Sequence, residues 1–218
     1  MFGRTALAAV LMAALAAPAY AQVEITINGG YTTSTGISGD GILAGDGNVY
    51  NRLDAENGGS FHFTIGYLAR SGAEFGFLWG RQMSQLKISG TNTVTIGDMN
   101  IDNYHGYFGY NFGEFDAKVR PYVMIGFGAT DFGSVDYNAF GQARSTPGAT
   151  RFSTTWGAGA KFYASPNVGF KAGVRWTPTY ISSEAVGWWC DPFWGCYVVG
   201  DSKYVNQFEI HGGVAFKF

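Results

Sequence analysis

The sequence predicts an all-β chain: an eight-stranded antiparallel up-and-down β-barrel that crosses a membrane, with short turns at one end and long loops at the other. Three observations point there. Aromatic residues make up 17% of the 218 positions and charged residues only 14%, with 33 glycines, so strand and turn formers dominate. Beyond the amino terminus no apolar run is long enough to span a bilayer as a helix. Large apolar side chains alternate with small or polar ones, with a period of two, in eight separate segments.

The chain opens MFGRTALAAVLMAALAAPAYAQ, with Arg4 as a basic n-region, an apolar run over 6–17 and Ala19-Tyr20-Ala21 as a small-x-small cleavage site. This reads as a secretory signal peptide over 1–21, because the run is short of the roughly 18 residues a spanning helix needs. The barrel domain then occupies 22–218, with no further domain expected.

The first strand sets Val23, Ile25, Ile27 and Tyr31 against Glu24, Thr26 and Asn28. The second sets Phe61, Phe63, Ile65 and Tyr67 against Ser60, His62, Thr64 and Gly66. In the third, Phe75, Phe77 and Trp79 oppose Glu74, Gly76 and Gly80, with Leu78 as an exception. The fourth has Tyr104, Phe108, Tyr110 and Phe112 opposite Asn103, His105, Gly109 and Asn111, and the fifth Val123, Ile125 and Phe127 opposite Gly126 and Gly128. The sixth and seventh place Trp156, Ala158, Ala160 and Phe162, then Val168, Phe170, Ala172, Val174 and Trp176, opposite glycines and Thr155, Lys161, Lys171 and Arg175. The last sets Phe208, Ile210, Val214, Phe216 and Phe218 against Glu209, His211, Gly213 and Lys217.

A secreted β-sandwich would also alternate, but its second face would carry solvated lysine and glutamate. Here that face is glycine, alanine, serine and threonine with isolated charges. Small residues suit a narrow barrel interior, and large aromatics suit lipid outside. Connections alternate strictly: ARSGA, GEFD and ASPN are short, whereas 33–57, 84–98, 129–149 and 181–204 are long, as expected of periplasmic turns and external loops.

On these residues the chain resembles the small outer-membrane β-barrel families of Gram-negative bacteria, OmpA- or OmpW-like. The marks are the leader, RPYVMIGFGAT at 120–130, WGAGAKFYASPNVGFKAGVRW at 156–176 and a last strand ending in Phe218. The resemblance implies a cell outer membrane location and recognition of terminal Phe218 by the outer-membrane assembly machinery. Function does not follow from fold at this level.

With the amino terminus in the periplasm, Trp79, Trp156 and Trp176 all fall toward the outer rim as an aromatic girdle. The interior carries Glu24, Glu74, Arg120, Lys161, Lys171, Arg175, Glu209 and Lys217, nearly balanced in sign, and barrel closure should bring Glu24 to Lys217. A salt-bridged plug and a polar path both fit this set, the plug better, since eight strands leave an interior about filled by side chains. Arg81 and Lys87 lie above Trp79 on its outward face, placed either for lipopolysaccharide phosphates or for simple solubility.

No catalytic site is expected. Ser60 and His62 are two residues apart on one face, about 7 Å, too far for a direct hydrogen bond; His105 and His211 read as packing residues. Asp40, Asp46, Asp54 and Glu56 lack calcium-loop spacing, and no cofactor motif or basic nucleic-acid patch is present at a net charge of −2. Cys190 and Cys196, the two cysteines of an exported chain, read as a disulfide. It would staple GWWCDPFWGC, presenting Trp188, Trp189, Phe193 and Trp194 either as a knob for a surface ligand or folded on the rim. Pro178 either ends strand seven or weakens the wall, giving small apolar compounds a lateral way into lipid. The function expected is therefore structural or surface-interacting; lateral passage is the alternative, and a lipid-modifying enzyme comes third.

Overall fold

The computed structural model describes residues 21–43, 48–139, 142–181, 189–191, 195–197 and 204–218. All eight alternating segments are strands: β1 (Ala21–Ser34), β4 (Gly58–Ala69), β5 (Ala73–Gly90), β6 (Thr93–Asn111), β7 (Val119–Phe132), β10 (Ala149–Tyr163), β11 (Val168–Tyr180) and β14 (Tyr204–Lys217). Each pairs antiparallel with the next, and β1 pairs with β14, so the sheet closes.

The register fixes the barrel's geometry. Partners followed once round, from Asn111 through Tyr122, Gly159, Gly173, His211, Gly30, Ser60 and Gln82, return to β6 at Ile101. That offset of ten residues is the shear of the barrel, and with eight strands it tilts them by about 40° around an interior that side chains can fill. Closure completes where Phe218 N–H donates to Val23 O (2.9 Å) and Val23 N–H to Phe218 O (3.2 Å). At the same end Gly72 (φ 91°) and Gly113 (φ 87°) make their turns at positive φ, which a Cβ would strain.

The predicted face assignment holds along every barrel strand. Ile27, Phe75, Phe108, Phe127, Phe170 and Ile210 are exposed on the outside, while Glu24, His62, Glu74, His105, Lys161 and Glu209 are buried inside. Leu78, the apolar exception on the inward face of its strand, keeps that parity and is buried.

The long loops are more ordered than the sequence suggested. Residues 84–98 are mostly strand, because β5 and β6 run on past the rim and turn only at 91–92. The 33–57 segment folds into β2 (Ile37–Leu43) and β3 (Val49–Ala55), with β3 laid along the top of β5. Short hairpins, β8 (Val135–Ala139) with β9 (Gln142–Thr146) and β12 (Trp189–Asp191) with β13 (Gly195–Tyr197), occupy the other two. These outer strands enclose a second core of Ile37, Leu53, Leu86, Ile88, Met99, Ile101, Phe132, Val135, Ile181 and Val205. Each such fully buried side chain contributes about 1.5–3 kcal/mol, so the cap is a folded unit rather than a fringe.

Around Pro178 the wall is not open. Thr177 to Tyr180 pair without interruption with Gln207 to Tyr204 on β14. On the β10 side pairing stops between Ser153↔Thr179 and Trp156↔Trp176 and resumes in the same register, since proline has no N–H to give. The Thr155 and Thr177 hydroxyls bond across that step at 3.2 Å.

Candidate functional site

Every inward charge named from the sequence is buried in the lumen. They form layers. In the innermost, Lys161 Nζ donates to Glu24 Oε1 (2.5 Å) and Glu74 Oε2 (2.7 Å). The remaining carboxylate oxygens accept from Tyr163 OH (2.5 Å) and Tyr107 OH (2.8 Å), and Asn111 Nδ2 adds a bond to Glu74 (2.8 Å). The expected pairing of Glu24 with Lys217 is not made. Their backbones are partners, but the Glu24 side chain reaches across the lumen to Lys161, and Lys217 Nζ sits 3.8 Å over the Tyr163 ring. In so narrow an interior, a long side chain meets the opposite wall as readily as its neighbour.

Above this layer lies Tyr122, whose ring takes Lys171 Nζ at 4.7 Å and whose hydroxyl meets His211 Nε2 at 3.2 Å. Its inward space is made by glycines: a Cβ on Gly173 would stand 2.5 Å from the Tyr122 hydroxyl, and one on Gly159 2.9 Å from its ring. Tyr107 lies over Gly66 in the same way. Next, Glu209 accepts from Ser60 Oγ (3.2 Å) and from His62 Nδ1 (3.0 Å) and binds Arg175 Nη2 through its other oxygen. Thr130, Ser153, Thr179, Asn103 and His105 form a fourth layer of buried hydroxyl, amide and imidazole bonds.

Two constellations could carry chemistry. His62, Glu209 and His211 offer ligand atoms within 4.8 Å of one another. Arg175 already neutralises that carboxylate, so the trio does not favour a cation. His105 Nε2 meets Ser153 Oγ at 2.9 Å, a serine–histidine pair that sequence reading missed. Both are fully buried, with no carboxylate orienting the ring, so the pair has neither substrate access nor a triad's third member.

On the outer surface Trp156 and Trp176 are direct partners, while Trp79 stands on the opposite side of the barrel, edge-on to Phe61 at 5.4 Å. Arg81 lies 5.8 Å over Trp79 and makes a bidentate pair with Asp102 (2.8 and 2.7 Å). Lys87 is bound to Glu56 at 2.6 Å, and Asp54 to Arg52 at 2.7 Å, so neither carboxylate is free for calcium. The terminal Phe218 is 72% exposed. The backbone of β12 and β13 places Cys190 directly opposite Cys196. Trp188, Phe193, Trp194, Asp46 and leader residues 1–20 lie outside the described residues, as do the side chains of Trp189 and Asp40.

The closed, tilted eight-stranded wall with lipid-facing aromatics and a polar lumen defines an outer-membrane barrel. The chain belongs to the outer membrane protein beta-barrel domain family, whose model matches residues 5–218, and its place is the outer membrane. Among solved structures it is similar to the outer membrane protein OprG from Pseudomonas aeruginosa (13% identity, 91% of this chain and 96% of that one, TM-score 0.64). It is also similar to Neisserial surface protein A (17%, 90% and 97%, 0.54) and to the outer membrane protein AlkL (15%, 93% and 93%, 0.53). No curated protein matches the chain. At these identities the likeness is one of fold.

Proposed function

We propose that the protein is a sealed structural barrel of the outer membrane whose interactions are made by its external strands. One observation supports this: buried polar side chains bond across the lumen in successive layers from Glu24 to Thr179, and above them the outer strands enclose an apolar core. The internal space beside Glu209 and Gln82 is about 10 Å³, too small for a permeant molecule. In planar bilayers the purified barrel is expected to give no steady ionic conductance; discrete channel openings in the wild-type protein would overturn the reading.

Lateral passage of apolar compounds has one feature in its favour, the interrupted ladder at Pro178 beside an outward recess of about 540 Å³ lined by Trp156, Trp176, Tyr180 and Tyr204. Behind it Ser153, Thr155, Thr177 and Thr179 are buried and packed, which supports a dent in the wall over a route through it. Enzymatic turnover is disfavoured because both serine–histidine sets lie inside the lumen.

External contacts follow from the same frame. At the rim Arg81 is paired with Asp102 above Trp79 and Lys87 with Glu56, which supports solubility of the extended hairpin over a contact with lipopolysaccharide phosphates for these two cations. The exposed ring of Phe218 is available to the assembly machinery. The Cys190–Cys196 register suits a disulfide, since directly opposed residues on antiparallel strands have Cα atoms about 4.5–5.5 Å apart, within disulfide range. It would fix the aromatic loop for a surface ligand. Unreduced protein is expected to resist maleimide labelling at both cysteines until a reductant is added; labelling without reductant would refute the staple.

A further inference from the structure

The near balance of sign expected from the sequence does not hold in the lumen, where cations outnumber carboxylates. Glu24 and Glu74 share Lys161, and Glu209 holds Arg175, which leaves Arg120, Lys171 and Lys217 with no carboxylate in salt-bridge contact among the described residues. Lys171 rests on Tyr122, but the other two gather at the inner mouth. There the Phe115 ring, carried by the β6–β7 turn, lies 5.5 Å from the Arg120 guanidinium and 5.4 Å from Lys217 Nζ. Arg120 is fully buried, makes one bond to the Asn111 carbonyl, and its Nε and Nη1 meet no protein acceptor. An arginine does not shed its proton to relieve such a position. An aromatic face offsets only part of the cost of a buried, unpaired charge.

On the Lys217 side opens a recess of about 300 Å³, lined by Lys217, Lys118, Tyr163, Ser165 and Gln22, with the Asp116 carboxylate also in its wall. The Gln22 Oε1 is buried there without a partner. Phe115 thus stands where the two cations would otherwise meet an anion.

We propose that the inner mouth of the barrel is an anion site, taking a small oxyanion, a phosphate or carboxylate group, between Arg120 and Lys217 when Phe115 swings aside. The guanidinium fork suits two oxygens of such a group, and Lys217 adds a point charge. The chemistry is the same for a free anion of the periplasm and for a phospholipid headgroup of the inner leaflet.

The test follows the Arg120 Nε–Hε resonance by nitrogen-15 NMR of the folded barrel while inorganic phosphate is added. A saturable shift is expected, absent at Arg81, which has its own carboxylate at the far end. Phe115→Leu, which removes the competing ring, should tighten binding several-fold, and Lys217→Met should weaken it by roughly ten-fold, the value of a charge-assisted contact. Barrels in phosphatidylglycerol and in phosphatidylcholine bilayers without phosphate separate the sources: a bound-like shift in the first alone assigns a headgroup, and a shift with phosphate alone assigns the free anion. No saturable shift in wild type or Phe115→Leu under any of these conditions overturns the proposal. An equal shift at Arg81, or unchanged binding in Lys217→Met, does so as well, since either would mean ionic screening only.

Discussion

Lys161→Met is expected to destabilise the barrel by about 3–5 kcal/mol, the cost of removing one partner from a fully buried charge cluster. Lys161 is 0% exposed and, among the described residues, is the single cation bonded to both Glu24 and Glu74. Methionine keeps the length of the stem but leaves two buried carboxylates without their shared cation. The triple change Lys161→Met, Glu24→Gln, Glu74→Gln is expected to recover most of the loss. The amide carbonyls can still accept from Tyr163 and Tyr107, the amide nitrogen at position 74 can donate to the otherwise unpartnered Asn111 Oδ1 once that amide flips, and the desolvation of three charges is no longer incurred. Urea unfolding of the barrel in lipid vesicles, followed by tryptophan fluorescence, separates the cases. A single mutant within about 1 kcal/mol of wild type would mean that water reaches this layer and that it is not a plug.

The membrane part of the fold was legible because lipid and lumen impose opposite chemistry on the two faces of each strand, which a period of two records directly. Above the rim that rule inverts, and there the sequence misled. Even-numbered residues of β5 face inward throughout, but Glu74 and Gln82 give way to Leu86 and Ile88, since water now lies outside and the cap core inside. Read for lipid-facing aromatics, QLKISGTNTVTIGD looked like loop. Inside the barrel, parity identified which charges point inward but not which of them meet, as Glu24 and Lys217 show: register is a backbone property, whereas partner choice depends on reach across the lumen. Tyr107, Tyr122 and Tyr163 were also missed as lumen residues. Their parity placed them inside, and the inward glycines on the strands they cover, Gly66, Gly159 and Gly173, were the available signal that something large had to be accommodated.

Tyr122→Ala is expected to turn a silent barrel into a leaky one. The ring bridges the lower and upper networks: Lys161 and Lys171 lie 5.7 and 4.7 Å from its centroid, and its hydroxyl meets His211. The glycines it covers have nothing of their own to fill the space. Truncation should cost about 3–5 kcal/mol, as for other large aromatic to alanine changes in packed interiors. It also leaves a cavity rimmed by Lys171, His211 and Arg175, polar enough to admit water rather than stay dry. With Arg120, Lys171 and Lys217 lacking carboxylate partners among the described residues, a path opened there should favour anions over cations. Planar-bilayer recordings under a potassium chloride gradient check both parts: wild type flat, Tyr122→Ala conducting, with a reversal potential displaced toward that of chloride. Tyr122→Phe, which keeps the ring and loses only the hydroxyl, should remain closed. If Tyr122→Ala folds, as judged by heat-modifiable gel migration, and is as silent as wild type, the seal resides in the outer cap rather than in the lumen.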